Sequence, residues 1–416
     1  KFSKEAVQRF FPHYPGRWAA LAARYPDLPP LVCEIDSYEP GSMNWSETVP
    51  AAFAERNGYS LTPWLAAATG RVIGSPGETE AFLWDLRATF AELVAENYYG
   101  EMRRLCNEEN MRLAIQPGGT GNFSEFLNAF QVDEAWTEFW VVDGRKPRPI
   151  GDLVASMAHT LGRTVVVAAE AFTSRPQDAA WRNDPRSLKP WADMAFIGGI
   201  NRMVYHASAH QAREGVQHTY GRWGVNLTRS NTWWPLSRGF HEYIARCAAM
   251  LQAGKHVADV FALQPEVPPK RVAPLHELGG GYRYDHGHPS RLLAGARAQD
   301  GQLLLASGMR YRLLAIPPDV EALTPEVAEK IAELVEQGVA LHGKPVVKAR
   351  GLAGGMQATD RRVAAAADRI WNAGHPHVFA QGTTRQALRK RNVLPDFEIV
   401  SGAADGVEFI HRSTGS

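Results

Sequence analysis

The feature that most limits the fold of this chain is a recurring unit. A short apolar run stops at polar side chains, a loop follows, and a helical stretch comes next. Residues 31–45 (LVCEIDSYEPGSMNW) show it best: Leu31, Val32, Cys33 and Ile35 lead into Glu34, Asp36 and Glu39 before Pro40-Gly41 breaks the run. A buried strand delivering acids to its C-terminal end, then a loop, is how parallel α/β sheets and barrels present reactive groups. Strand alternation puts Glu34 and Asp36 on one face and leaves Glu39 beyond the strand, in the loop. A solvated acidic turn is the competing reading. A second acid in a matching setting, 131 positions further on (170 − 39), tips the balance. Residues 164–172 (TVVVAAEAF) are strand-like and end in Glu170 and an aromatic. A glutamate at the end of a buried strand is costly to desolvate unless it is paired or working. Two such acids on neighbouring strand ends suit glycoside hydrolysis, in which one protonates the departing oxygen and the other activates water or attacks the sugar.

The rest of the chain repeats the alternation. Residues 3–25 read as a helix capped by Ser3, a proline turn and a second helix, and residues 45–57 as a helix stopped by Gly58. The strongest helical signal is 78–112, where Phe82, Leu83, Leu86, Phe90, Leu93 and Val94 form one apolar stripe. Strands are expected at 112–116, cut off by Pro117-Gly118-Gly119, at 133–143 with Glu138 among aromatics, and at 201–206 and 257–263. Residues 151–162 and 237–253 read as helices, and 264–274 (QPEVPPKRVAP) as a linker. Beyond the linker, strands at 303–306, 311–316, 339–343 and 346–350 alternate with helices at 325–338 and 360–372.

The expected fold is therefore α/β: the C-terminal part of a (β/α)8 barrel followed by a smaller doubly wound α/β domain. About five strand–helix units precede residue 262, against the eight of a full barrel. The expected division is a partial catalytic barrel at 1–262, a flavodoxin/amidotransferase-like domain at 263–390, and the start of a further β-rich segment from 391 to 416. The start at Lys1 and the stop in HRSTGS read as the ends of an internal piece of a longer polypeptide.

Composition narrows the partners. Lys+Arg 45 against Asp+Glu 44 leaves a net charge of +1, which gives no basic excess for nucleic acid. No apolar run approaches the roughly 18–20 residues that cross a bilayer, so membrane insertion is not expected. Cys33, Cys106 and Cys247 are widely spaced in apolar surroundings and read as free thiols. HExxH, GxSxG, P-loop and GxGxxG patterns are absent, and no organic cofactor is expected. His286-Gly287-His288 reads as a surface turn.

Each remaining candidate has two readings. Asp36 would hold a sugar hydroxyl or cap its own loop. Glu138 would bind substrate or a hard cation such as calcium, since carboxylate oxygens suit one. Asn201 and His206 face opposite sides of an extended run, so one meets the site and the other is a hydrogen-bonded core residue. Arg229, Asn231 and Trp233 offer a polar clamp and a stacking face, or packing in the mouth of the barrel. Gln116, just before Pro117-Gly118-Gly119, stands where a barrel loop begins and is expected to touch substrate. An acid role for Glu39 calls for apolar neighbours such as Tyr38 and Trp45.

Taken in order, DSYEPGSMNW (36–45), RNGYSLTPWL (56–65), EFW (138–140), EAF (170–172), LKPWADMAFIGGINRMVYH (188–206), RSNTWW (229–234), LQAGKHVADV (251–260), YDHGHPSRLL (284–293) and SGMRYRLLAIP (307–317) resemble glycoside hydrolase family 106. The resemblance extends over essentially the whole chain. It implies an α-L-rhamnosidase with a (β/α)8 barrel, an inverting mechanism, a carbohydrate substrate and a calcium ion near the sugar. It matches Glu39 to the general acid, Glu170 to the general base and Glu138 to an acidic site position, and adds Trp140 as a substrate contact. The full-length protein is expected to be periplasmic or secreted, with no signal visible in these residues. Two rivals stand beside this reading: a retaining β-galactosidase-type barrel, and a catalytically inactive carbohydrate-binding relative. The former usually places Asn before the acid, where this chain has Tyr38.

Overall fold

The computed structural model describes residues 1–39, 41, 43–121, 123–179, 181–213, 223–267, 275, 278–403 and 406–415. The chain divides into two compact units. The first comprises Lys1–Asp133, Thr160–Gly162 and Ala258–Glu398; the second comprises Glu134–His159, Arg163–Val257 and Ile399–Ser416.

In the first unit, β1 (Val32–Ile35) and β2 (Arg112–Ile115) run parallel, in register from Val32 opposite Arg112 to Ile35 opposite Ile115. The long connection between them is helical, as the apolar stripe requires. Ser75 Oγ accepts from Glu78 N at 3.2 Å and Pro76 sits in the first turn, so Pro76–Val94 starts with a capped end. A π-turn at Ala95–Gly100 separates that helix from Glu101–Glu108. Phe53, Phe82, Leu93, Tyr99 and Met102 pack with Leu113 and Ile115 in one core. Burying each large side chain of this kind contributes about 1.5–3 kcal/mol. β1 itself is half-exposed rather than buried, with Val32 at 42%. Among the described residues it is an edge strand, and β2 alone covers its flank within this unit.

The same unit carries a second sheet of five parallel strands. Their order is Val378–Phe379, Leu341–Gly343, Leu313–Ile316, Val260–Leu263, Tyr284–Gly287. The first strand in sequence lies inside, with the second on one side and the later three on the other. That is the doubly wound order 2-1-3-4-5. Val260–Leu263 and Leu313–Ile316 are buried at every position, as strands covered on both faces must be. So Val260–Leu263, expected to close the barrel segment, instead sits in the interior of this sheet.

His286-Gly287-His288 is not a surface turn. Tyr284–Gly287 is a strand, and His286 and His288 are each 5% exposed. A Cβ at Gly287 would stand 2.1 Å from the Phe261 ring, so only glycine lets this strand lie so close. His288 Nε2 donates to the Glu266 carbonyl (3.1 Å), and Nδ1 meets Ser290 Oγ (2.9 Å). Burial pushes its imidazole down to about 4, so the ring is neutral. Residues 346–350 form no strand: Ala349 makes a single bridge to Leu323 and donates its amide to Asp360 Oδ1 at 2.8 Å. The linker expected at 264–274 falls largely outside the described residues.

Helix Pro76–Val94 and the loop at 351–355 share one anchor. Asp85, 1% exposed, accepts from Leu352 N (2.8 Å), Ala353 N (3.1 Å) and Tyr59 Oη (2.8 Å). Burial holds its carboxyl above the ordinary range.

In the second unit, β3 (Glu134–Trp140), β4 (Ala168–Thr173) and β5 (Arg202–Tyr205) are parallel neighbours. Glu134, at the N-terminal end of β3, accepts from Arg202 Nη1 (3.1 Å) and Trp136 Nε1 (3.3 Å). The strand expected from 164 begins only at Ala168. Ahead of it, Asn201 takes the place of a strand partner: Oδ1 accepts from Val167 N (2.8 Å) and Nδ2 donates to Val165 O (2.7 Å). The further β-rich segment expected from 391 amounts, among the described residues, to Arg412–Ser413 paired antiparallel with Lys255–His256.

Candidate active site

In the second unit, the carboxyl ends of β3, β4 and β5 gather one polar face. Glu138 lies opposite Glu170, and Glu170 lies opposite Val204. His206 follows two residues after Val204 and so shares its side. The His206 Nδ1 stands 3.5 Å from Glu170 Oε1. Thr173 Oγ1 donates to the same oxygen.

The contact with Thr173 depends on an irregularity. From Glu138 to Trp140, β3 advances two residues, while β4 advances three, from Glu170 to Thr173. The extra residue is a β-bulge, and Phe172 takes a left-handed φ of 66° within it. Phe172 therefore turns to the opposite face, where its ring meets Phe139 (5.1 Å), Tyr205 (5.7 Å) and Phe240 (6.1 Å). Thr173 turns forward beside Glu170.

Trp140 stands opposite Thr173 on this face. Its ring meets Trp223 edge to face at 5.9 Å, and the Arg175 guanidinium lies 6.0 Å from it. Trp223 is held by its neighbours. Gly224 N donates to Ser174 O (2.8 Å) and Val225 N to His206 O (3.0 Å). Gly224 has φ +79°, and a Cβ there would come within 2.6 Å of His206 O and 2.9 Å of its Nδ1.

The first unit presents its own acid. Beyond β1, Asp36 Oδ1 accepts from Ser37 N (2.7 Å), which makes it a cap for the loop backbone. Tyr38 bridges to Gly119, with Tyr38 N donating to Gly118 O (3.0 Å) and Thr120 N to Tyr38 O (2.6 Å). Gly119 has φ +132°, and a Cβ there would sit 2.2 Å from Tyr38 O, so this close approach demands glycine. The loops after β1 and β2 are thereby zipped together. Tyr38 points into the core against Phe123 (5.0 Å), and Glu39, next in sequence, is exposed with Ser37 Oγ donating at 3.3 Å. The apolar surroundings expected for Glu39 are not seen, since Tyr38 faces inward and Trp45 is 49% exposed. Gln116 is buried at the end of β2, its backbone N–H donating to Ile35 O (3.0 Å).

Not every sequence candidate joins these groups. Asn201 precedes β5, at the opposite end of that strand from His206, and is 1% exposed. Its carboxamide is spent on Val165 and Val167, which makes it a framework residue rather than a substrate contact. Arg229 donates to Gln211 O (2.6 Å), Trp233 Nε1 to Asn183 O (2.9 Å) and Asn231 Nδ2 to Asn226 O (2.9 Å). These polar atoms hold loop backbone. Thr173, Arg175 and Trp223 were missed: nothing in the sequence marks a bulge, and Trp223 is one tryptophan among 12.

Calcium takes about six to eight oxygens, carboxylate and carbonyl. Glu138 has Glu170 abreast, and among the described residues no cluster of three or more His, Cys, Asp or Glu side chains of ligand spacing includes Glu138.

Acids at the carboxyl ends of parallel strands, with aromatic side chains alongside, define an α/β enzyme site of the kind that glycosidases use. The chain belongs to glycoside hydrolase family 106, whose profile, described as alpha-L-rhamnosidase, matches residues 1–416. A protein of Formosa agariphila named "Putative beta-glucuronidase" is 33% identical over 387 residues, covering 92% of this chain and 32% of that protein. The solved structure of a rhamnosidase from Novosphingobium sp. PP1Y aligns with a TM-score of 0.88 at 27% identity, covering 99% of this chain and 41% of that one. The chain thus spans well under half the length of either relative.

Proposed function

We propose that this chain forms part of the catalytic region of an inverting α-L-rhamnosidase-like glycoside hydrolase that removes terminal rhamnose from oligo- or polysaccharides. Glu170 is the general base and Glu39 the general acid. Water gives a proton to Glu170 as its oxygen bonds to the anomeric carbon. The bond from that carbon to the leaving oxygen breaks, and this oxygen takes the proton of Glu39. Inversion requires the two carboxyls to stand about 6.5–9.5 Å apart, with room for the water, against about 5–5.5 Å for retention.

The observation that carries this reading is the seat of Glu170: a half-buried carboxylate at a strand end, met by Thr173 and His206 on one oxygen. Trp140, with Trp223 across it, supplies an aromatic corner for the sugar. The name of the Formosa agariphila relative favours a second substrate, a glucuronide. The full-length protein should be tested on aryl α-L-rhamnoside and aryl β-D-glucuronide, with Glu170→Gln and Glu39→Gln as controls. A base of this kind is worth about 10²–10⁴ in rate. If both variants keep the full rate, the catalytic assignment is wrong. The anomer of the first-formed product, read by NMR, decides inversion. Calcium with Glu138 among its ligands remains part of the proposal on the strength of the family alone. Chelation should then lower the rate and added calcium restore it; an unchanged rate after chelation removes the metal.

A further inference from the structure

We propose that Thr173 is a positioning residue for Glu170, delivered by the bulge in β4; the inference rests on Glu170 being the base. In an unbroken strand, residues 170 and 173 face opposite sides of the sheet and cannot touch. One extra residue between them brings both to the same face. Three observations fix the Thr173 hydroxyl. Its carbonyl accepts from Val141 N at 2.7 Å, tying the backbone to the chain just beyond β3. Phe172, 0% exposed, locks the bulge from behind through its ring contacts. Thr173 itself is 3% exposed, and its branched Cβ leaves few rotamers.

The hydroxyl therefore points at Glu170 Oε1 before any substrate arrives. His206 approaches the same atom, so two contacts set the plane of the carboxylate.

The test uses the full-length protein with Thr173→Val, Thr173→Ser and Glu170→Gln in parallel. Thr173→Val keeps the shape and removes the donor. It should lower kcat about tenfold, the worth of one hydrogen bond, with KM within about twofold. Thr173→Ser should restore kcat. Should the valine variant misfold by circular dichroism, Thr173→Ala is read in its place and must meet the same demands. A folded variant with wild-type kcat overturns the proposal, even while Glu170→Gln is inactive. Full activity in Glu170→Gln instead overturns the base assignment, which is a separate failure.

Discussion

Glu170 is seated inside a strand, touched by side chains that the same sheet supplies, whereas Glu39 stands in a loop, exposed, with Ser37 as its hydroxyl donor. The backbone around Glu39 is nonetheless tightly held, by the zip between the loops after β1 and β2. The difference suits the division of labour proposed above, with Glu170 as base and Glu39 as acid. A base must aim at one small water, and a fixed carboxylate does this best. An acid must follow a leaving group that differs between substrates, and a side chain on an anchored loop can adjust to each.

Changing the leaving group can break that comparison most sharply. Glu170→Gln should lose about 10³-fold in kcat on every substrate, because water must be activated whatever departs. Glu39→Gln should lose about 10²–10³-fold on sugar leaving groups but under about tenfold on a dinitrophenyl glycoside, which departs without a proton. Equal losses on both substrates would remove the distinction. Next in size is a control on acid pH. The buried His288 titrates at about 4, below the about 6.5 of an unfolded histidine, so the unfolded chain binds the extra proton between those values. Stability is then full above about pH 6.5 and falls by up to about 3 kcal/mol as pH drops toward 4. Denaturant midpoints across this window should fall less steeply in His288→Gln, and equal slopes would rule His288 out. Smallest is Gly119→Ala, which forces a side chain into a left-handed position against Tyr38 and should cost about 1–3 kcal/mol. Its activity loss should be larger on sugar leaving groups than on the dinitrophenyl glycoside if it displaces the loop of the proposed acid; a uniform loss would sever the link between that loop and Glu39.

Much of this architecture could be read from periodicity. The stripe in 82–94, the capped starts and the strand–polar alternation all correspond to local energetics that a sequence displays. Long-range substitutions were not legible. Asn201 looked like a site residue because carboxamides at strand ends often are, yet its side chain replaces a strand partner. His286 and His288 looked solvent-facing because Gly287 and Pro289 suggest a turn, while burial there depends on Phe261 and Glu266. Thr173 was hidden for a simpler reason: alternation gives the wrong face after a bulge, and nothing in AAEAFT announces one.

The buried carboxylate of Asp85 has a consequence for how this protein comes apart. It joins two stretches 267 positions apart in the chain, Asp85 and Leu352, inside one compact unit. A protease that nicks the chain between them should leave the pieces associated under native conditions. Expressed alone, the segment from 258 onward would forfeit the acceptor for two backbone amides, so it should fold less readily than the doubly wound sheet suggests.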